Sequence, residues 1–193
     1  MPYKNSTSEH GNDHEATPVL WLTGVPGVGK TTVIQRVAEA LPNHSLGGFC
    51  TEEIRHRGIR QGFRLEGFRG GSTVMAHVEF PKRYRVGRYG VDVGAIDELS
   101  KTALSQEPPA DIYLVDEVGK MECMSTRFID ALRGLLDGPC TIVGTIARSG
   151  GGPIAELKRW PGSTLWEVTH DNRQEMPARV LAWLRCKDWK FRG

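Results

Sequence analysis

Residues 24–31 constrain this chain more than any other stretch. They read GVPGVGKT and match the pattern GxxxxGK[ST] in full, between an apolar run, VLWLT, and a helical stripe that starts near Lys30. Glycines let successive backbone N–H groups point at phosphate oxygens, and the following helix adds the positive end of its dipole. The spacing therefore predicts a phosphate-binding loop in which Lys30 reaches the β- and γ-phosphates and Thr31 offers its hydroxyl to Mg²⁺.

A second stretch, YLVDEVGKME at residues 113–122, ends an apolar run in two adjacent acids, Asp116 and Glu117. By itself it is also consistent with a strand that runs out into solvent. A phosphate-loop protein needs a second strand that brings an acid to the Mg²⁺ shell, and ligands bind at the carboxyl ends of parallel strands. We therefore predict that Asp116 holds the metal. We predict that Glu117 polarises a water for in-line attack on the γ-phosphate, although an exposed or salt-bridged glutamate has the same sequence pattern.

Two further residues are less specific. Lys120 is equally consistent with a partner for these acids or a phosphate and with a surface lysine. Thr145 ends the stretch TIVGT, where its hydroxyl can orient the attacking water or sense the γ-phosphate, or where the residue simply fills a strand.

Hydrophobic periodicity predicts an α/β fold. Apolar runs at 19–24, 49–54, 111–115, 140–146 and 164–169 alternate with helical stripes after residue 30 and around 94–104, 126–138, 153–160 and 176–186. Such alternation implies a mostly parallel sheet covered on both faces. Residues 62–68 and 73–80, joined by the turn signal RGGS, predict an antiparallel hairpin added to that sheet.

Composition limits the remaining possibilities. The 193 residues favour one domain, and a formal net charge of +2 gives no support for a nucleic-acid or membrane partner. No apolar run is long enough to span a bilayer. Residues 1–17 resemble neither a secretory nor a transit signal. We therefore interpret them as a disordered polar tail before a single domain at 18–193. The four cysteines are far apart, without a CxxC pair, which indicates reduced thiols and a cytoplasmic location.

Six segments occur in this order: GVPGVGKTT, GFCTEEIRHRGIRQGF, YRVGRYGVD, LVDEVGKME, GTI and VTHDNR. Together they closely resemble the small P-loop nucleoside-triphosphatase family known from thermophiles, whose animal members are called cancer-related nucleoside-triphosphatases. The resemblance covers roughly residues 18–185. It implies a RecA-like, three-layer α/β fold and slow, Mg²⁺-dependent hydrolysis of ATP, GTP and other nucleoside triphosphates.

The resemblance also implies which residues bind nucleotide. It assigns two stretches, Gly24, Val25, Pro26, Gly27, Val28, Gly29, Lys30, Thr31 and Thr32, and Tyr113, Leu114, Val115, Asp116, Glu117, Val118, Gly119 and Lys120. It adds four residues of matching type, Arg55, Arg85, Asn172 and Arg173. The residues alone leave alternatives for these four. The basic run KRYRVGR at 82–88 fits a nucleic-acid patch with stacking tyrosines, a lid whose Arg85 reaches the triphosphate, or a solvated surface, and Asn172 fits a base contact or a helix cap.

We therefore predict a monomeric nucleoside-triphosphatase in which Lys30, Glu117 and Thr145 are catalytic and Thr31 and Asp116 hold Mg²⁺. Two alternatives stay open. One is a nucleotide or small-molecule kinase, which would use an acid to position an acceptor in place of water. The other is a nucleotide-gated module that binds RNA or protein, for which salt-dependent RNA binding would be the signature.

Overall fold

The computed structural model describes residues 17–186, which form one nine-stranded sheet with helices on both faces. The strands are β1 Val19–Thr23, β2 Leu46–His56, β3 Ile59–Gly67, β4 Ser72–His77, β5 Arg85–Val86, β6 Tyr89–Val91, β7 Ile112–Val118, β8 Thr141–Ile146 and β9 Ser163–Glu167. The helices are α1 Lys30–Glu39, α2 Val93–Ala103, α3 Thr126–Leu136, α4 Pro153–Lys158 and α5 Met176–Cys186. The predicted tail lies outside the described residues except for Thr17, which is buried and donates its hydroxyl to the carbonyl of Gly138.

The sheet has a parallel half and an antiparallel half. Its strand order is β5-β6-β4-β3-β2-β7-β8-β1-β9. All pairings from β2 to β9 are parallel, and all pairings from β2 to β5 are antiparallel. The predicted α/β fold with an antiparallel addition is therefore confirmed.

Alternation along the strands divides the core into two layers. In β1, Val19 and Trp21 pack on one face with α2, α3 and α4, whereas Leu20 and Leu22 pack on the other with α1 and α5. The Trp21 ring fills the space above Gly144, where a Cβ atom would lie 2.5 Å from the ring. Strand β1, which leads into the phosphate loop, is consequently buried on both faces.

Several segments differ from the sequence prediction, and in the hairpin strand β3 begins at Ile59 instead of residue 62 and strand β4 ends at His77 instead of residue 80. Strand β2 begins at Leu46 instead of residue 49, because Gly47 and Gly48 let the chain pass close to β7: a Cβ on Gly47 would lie 2.5 Å from the Tyr113 ring. Strand β7 continues through both acids to Val118, so the interpretation of a strand running into solvent is wrong. The short strands β5 and β6 were not predicted, because two or three residues carry no readable period.

All four cysteines, Cys50, Cys123, Cys140 and Cys186, are free, as predicted. No helix among residues 17–186 is both long enough and apolar enough to cross a membrane.

Candidate nucleotide site

The loop at residues 24–29 connects β1 directly to α1, as the motif predicts. Gly24 packs closely against the residue that follows β9. A Cβ atom at this position would lie 2.5 Å from the carbonyl oxygen of Val168, so any side chain there would displace the loop. Gly29 precedes α1 with φ of 112°, a left-handed conformation that favours glycine. Lys30 is buried and its Nζ donates to the carbonyl of Gly24 at 3.3 Å, which folds the side chain back over the loop.

Asp116 lies beneath this loop with no exposed surface. Its Oδ1 accepts a hydrogen bond from the Thr145 hydroxyl at 2.7 Å, and its Oδ2 accepts one from the backbone N–H of Thr51 at 3.4 Å. The Thr31 hydroxyl also hydrogen bonds to this carboxylate. The register between β7 and β8 shifts between Val115 and Val118, so the acids occupy an irregularity of the kind that redirects side chains beside active sites.

Glu117 differs from its neighbour in exposure. Its side chain is 37 % exposed and lines a large cleft, and its Oε2 lies 3.7 Å from Lys30 Nζ. One acid is therefore enclosed beside the Thr31 hydroxyl, and the other faces the space where a solvent molecule or substrate can lie.

Burial sets the protonation behaviour of both acids. It raises the pKa of Asp116. The hydrogen bonds from Thr145, Thr31 and Thr51 oppose this rise, because they favour the charged form. It also raises the pKa of Glu117, where the charge of Lys30 lowers the pKa and the charge of Asp116 raises it. Glu117 is thus a stronger proton acceptor than a solvated glutamate, as a general base requires.

Glu122 is a site residue that sequence reasoning missed. It is buried, lines the cleft, and accepts a hydrogen bond from the Gly119 backbone N–H at 3.0 Å, which closes the turn after β7. Burial raises its pKa to about 8, and the charges of Glu117 and Asp116 add to that rise. The residue belongs to the segment VGKME, but a glutamate two positions after a lysine does not by itself predict a buried side chain.

We expect the stability of the protein to depend on the protonation of Glu122. The pKa is about 8 in the folded chain against an ordinary 4.5, so the folded state holds this proton more tightly than the unfolded state. The free energy of unfolding therefore falls as pH rises through that window, by at most roughly 1.4 kcal/mol per pH unit for this group. Glu122→Gln, which cannot titrate, should show a smaller fall.

Urea unfolding of both proteins across this pH window measures the difference. Glu66→Gln, at a partly exposed position on β3 that does not line the cleft, is the control and should follow the wild type. Parallel pH profiles for wild type and Glu122→Gln would contradict a buried, protonated Glu122.

Two cavities flank the phosphate loop. The larger, of about 850 Å³, extends from Lys30 and Thr31 past Glu117 to strands β3, β4, β5 and β6. The smaller, of about 100 Å³, lies on the other side of Gly29 and Thr32 and is lined by Arg36, Arg173 and Gln174. The loop thus separates two openings of very different size.

The remaining predicted residues divide between the site and the scaffold. Arg173 lines the small cavity, and Lys120 is exposed on the rim of the large one. The four apolar members of the second stretch, Tyr113, Leu114, Val115 and Val118, instead lie in the core with no exposed surface. Their side chains hold β7 in place and do not line either cavity.

Three other predicted residues line neither cavity and form hydrogen bonds within the protein. Arg55 pairs with Glu53 and donates to the Gly58 carbonyl within the β2–β3 hairpin, and Arg85 donates to the Gly87 carbonyl beside β5. The side chain of Asn172 does not cap a helix: its Oδ1 accepts from Thr169 N at 2.8 Å and its Nδ2 donates to the Glu167 carbonyl at 2.9 Å, both earlier in the chain. These bonds shape turns around the site.

Thr145 also has a role other than the one predicted. Its side chain has no exposed surface and its hydroxyl is donated to Asp116, so it positions that carboxylate and does not face the cleft. Thr51, which the sequence did not single out, acts beside it through its backbone N–H and a hydroxyl bond to the Asp116 carbonyl.

The oxygen atoms of Thr31 and Asp116 are adjacent and are of the hard type that Mg²⁺ prefers. Within residues 17–186 there is no group of three or more His, Cys, Asp or Glu residues that would hold a metal by itself. This donor set fits a cation that takes most of its ligands from phosphate and water, as Mg²⁺ does in nucleotide sites.

The chain is similar in sequence to known nucleoside-triphosphatases. A family model described as NTPase matches residues 19–181. Nucleoside-triphosphatase THEP1 of Thermotoga sp. (strain RQ2) is 33% identical over 86% of this chain and 95% of its own length. The cancer-related nucleoside-triphosphatase of Homo sapiens is 37% identical over 81% of this chain and 91% of its own length.

Two solved structures share the fold. The crystal structure of THEP1 from the hyperthermophile Aquifex aeolicus superposes with a TM-score of 0.76 at 32% identity, covering 86% of this chain and 98% of that one. The solution structure of a human cancer-related nucleoside triphosphatase gives a TM-score of 0.73 at 32% identity, covering 88% and 98%. The family resemblance seen in the sequence segments is thereby confirmed.

Proposed function

This chain belongs to the NTPase family, and from that premise we propose that it hydrolyses nucleoside 5′-triphosphates, ATP and GTP among them, to diphosphate and phosphate with Mg²⁺. The observation that carries the proposal is the placement of Lys30, Asp116 and Glu117. One phosphate-loop lysine stands beside two acids of opposite exposure, one enclosed and one facing the cleft. In this arrangement the enclosed acid, Asp116, holds the metal, and the acid that faces the cleft, Glu117, activates water.

Binding begins at the phosphate loop. Backbone N–H groups of residues 24–29 and the N-terminus of α1 favour the negatively charged β- and γ-phosphates. Lys30 Nζ, which contacts the Gly24 carbonyl and Glu117 in the free protein, is within reach of the same phosphates. A phosphate that draws Lys30 towards itself also releases Glu117 from its ion pair.

Thr31 and Asp116 would hold Mg²⁺, with Thr145 and Thr51 fixing the carboxylate of Asp116. When bound, the cation neutralises charge that develops on the phosphate oxygens. Because Asp116 is anchored by three hydroxyl or N–H donors, its orientation is set before substrate arrives.

Glu117 then orients the attacking water. Its exposed carboxylate accepts a water proton while the water oxygen attacks the γ-phosphorus in line with the departing diphosphate. Its raised pKa favours acceptance of that proton. Besides Mg²⁺, hydrolysis therefore uses only protein groups at the start of α1 and at the carboxyl end of β7.

The small cavity supports a loose base preference. It is lined by Arg36, Arg173 and Gln174, which are long polar side chains at the surface, and it encloses only about 100 Å³. Selection among bases needs hydrogen-bonding groups fixed in a desolvated pocket. A small, surface-lined cavity of this kind accepts purine and pyrimidine nucleotides alike.

Chelation should abolish hydrolysis, and Mn²⁺ should restore it, because both cations favour octahedral oxygen ligands. Phosphate release is measured after excess EDTA and again after each cation is added back beyond the chelator. Full activity in excess chelator would contradict a metal held by Thr31 and Asp116.

A panel of ATP, GTP, CTP and UTP, incubated with purified protein and Mg²⁺ but with no acceptor, tests the proposal itself. We expect free phosphate and the corresponding diphosphate in equal amounts from every member. Absence of phosphate release from all four would overturn the proposed hydrolysis.

A further inference from the structure

The large cleft contains more space than a terminal phosphate needs. Its volume, about 850 Å³, lies towards the upper end of small-molecule sites, which are roughly 300–1,000 Å³. A triphosphate whose nucleoside lies over Arg173 and whose γ-phosphate lies at Lys30 occupies only the near end. The far end, walled by β3, β4, β5 and β6, is left open beyond Glu117.

The far wall is apolar and aromatic. Phe63 and Tyr89 meet edge to face with ring centroids 5.2 Å apart, and Met75, Val86 and Met121 complete the surface. Met75 and Tyr89 are buried, whereas Phe63 and Val86 are partly buried. Such a wall binds a flat apolar ring.

The residues that line the far end carry more carboxylates than cations, Glu52 and Glu53 against Arg60, and Arg88, whose guanidinium lies 5.2 Å from the Tyr89 ring centroid, is not among the lining residues. Arg60 is already neutralised, since its Nη1 lies 2.6 Å from Glu53 Oε1, its Nε donates to the Tyr89 hydroxyl at 3.0 Å, and its guanidinium lies over the Phe63 ring. Glu52 adds a second carboxylate to this end. The two lysines of the cleft, Lys30 and Lys120, stand at the phosphate end, so a neutral or cationic ring fits the far end best.

We propose that this cleft is the site of a second substrate: a small neutral or cationic molecule with a flat ring and an alcohol hydroxyl, which accepts the γ-phosphoryl group in place of water. The inference rests on the proposed function, because it uses the same Lys30 and Glu117. The ring lies between Phe63, Met75 and Tyr89, and the hydroxyl points to Glu117.

The transfer balances without any further reactant. The alcohol oxygen forms a bond to the γ-phosphorus, and the bond from that phosphorus to the β–γ bridging oxygen breaks. The nucleoside diphosphate leaves with that electron pair, and the alcohol proton passes to the Glu117 carboxylate. The products are a phosphate monoester and a diphosphate, and water takes the same position when the cleft holds no alcohol.

Methionine methyl groups report directly on the proposed site. Protein labelled with ¹³C at methionine methyls, with Mg²⁺ and a non-hydrolysable triphosphate analogue, is titrated with 4-(hydroxymethyl)pyridine, benzyl alcohol or 4-(hydroxymethyl)benzoate. We expect saturable shifts of Met75 and Met121 with the first two compounds, and none at Met124 and Met176, which lie outside the cleft. The benzoate should bind at least tenfold more weakly. No shift at Met75 or Met121 with any compound overturns the site.

The transfer itself is followed by ³¹P NMR with Mg·ATP, the two binding alcohols and uncharged ribonucleosides. We expect a monoester resonance with at least one alcohol, and at least a tenfold lower ratio of ester to free phosphate in Val86→Trp, whose indole fills the far end. Ile59→Trp, at a 57% exposed position outside the cleft, should keep the wild-type ratio.

Three outcomes decide the matter separately. An alcohol that shifts Met75 and alters phosphate release without forming an ester overturns the transfer step and leaves an effector site. Absence of any ester and any shift overturns the whole inference. Failure of phosphate release without alcohol concerns the proposed hydrolysis alone, since the methyl shifts do not depend on turnover.

Discussion

Replacing Lys30 by alanine is expected to lower turnover by on the order of 10²-fold or more, the scale for losing one charge contact to a transition state. Lys30 is the only lysine or arginine of the loop at residues 24–32. Its Nζ contacts both the loop carbonyl of Gly24 and Glu117, so its loss removes a buried side-chain cation from the phosphate loop. Triphosphate affinity should fall as well, because the same charge binds the ground state. Steady-state phosphate release and equilibrium binding of a labelled triphosphate measure both effects.

Lys101→Ala is the matched control. Lys101 is exposed on α2 and pairs with Glu98 at 2.6 Å, far from either cavity lining. Its removal changes net charge by the same amount and should leave turnover within about twofold, as expected for an exposed ion pair. Turnover of Lys30→Ala within about threefold of wild type would mean that the phosphate loop is not the active site.

The second large effect is expected at Glu117. Glu117→Gln keeps the size of the side chain and one acceptor oxygen but removes the charge that takes the water proton. We expect kcat to fall roughly 10²- to 10⁴-fold, the range for losing a positioned general base, while triphosphate binding with Mg²⁺ changes little. Single-turnover hydrolysis at saturating protein separates the chemical step from binding and product release.

Asp116→Asn provides the contrast. Asp116 has no exposed surface and is held by Thr145 and Thr51, so its substitution affects the metal donor set and therefore binding as well as turnover. Glu66→Gln, at a partly exposed position of β3 that lines neither cavity, should behave as wild type. Equal losses of binding in Glu117→Gln and Asp116→Asn would contradict the separate roles of the two acids.

Sequence alone predicted the parts of this site whose chemistry is local. Residues 24–31 carry a fixed spacing, and Asp116 and Glu117 end a readable strand, so both could be placed at one edge of a parallel sheet. The sequence could not separate the two acids by exposure. The two acids lie where the register between β7 and β8 is irregular, which no periodic pattern records.

Contacts between residues distant in sequence were beyond prediction. Thr51 reaches Asp116 across 65 positions of the chain, and Arg60 reaches Tyr89 across 29. The wall of the large cleft depends on β5 and β6, which are too short to show a period. For Asn172, the helix cap that the sequence offered is not formed, because its side chain bonds back to Thr169 and Glu167.

The most direct test of whether Glu117 activates water is single-turnover phosphate release from Mg·ATP. It is measured without any acceptor, with wild type and Glu117→Gln occupied by ATP to the same extent. The account predicts free phosphate from the wild type and a rate at least about 10²-fold lower from the variant at unchanged triphosphate affinity. Equal rates from the two proteins would contradict it, because the exposed acid beside Lys30 would then have no part in activating water.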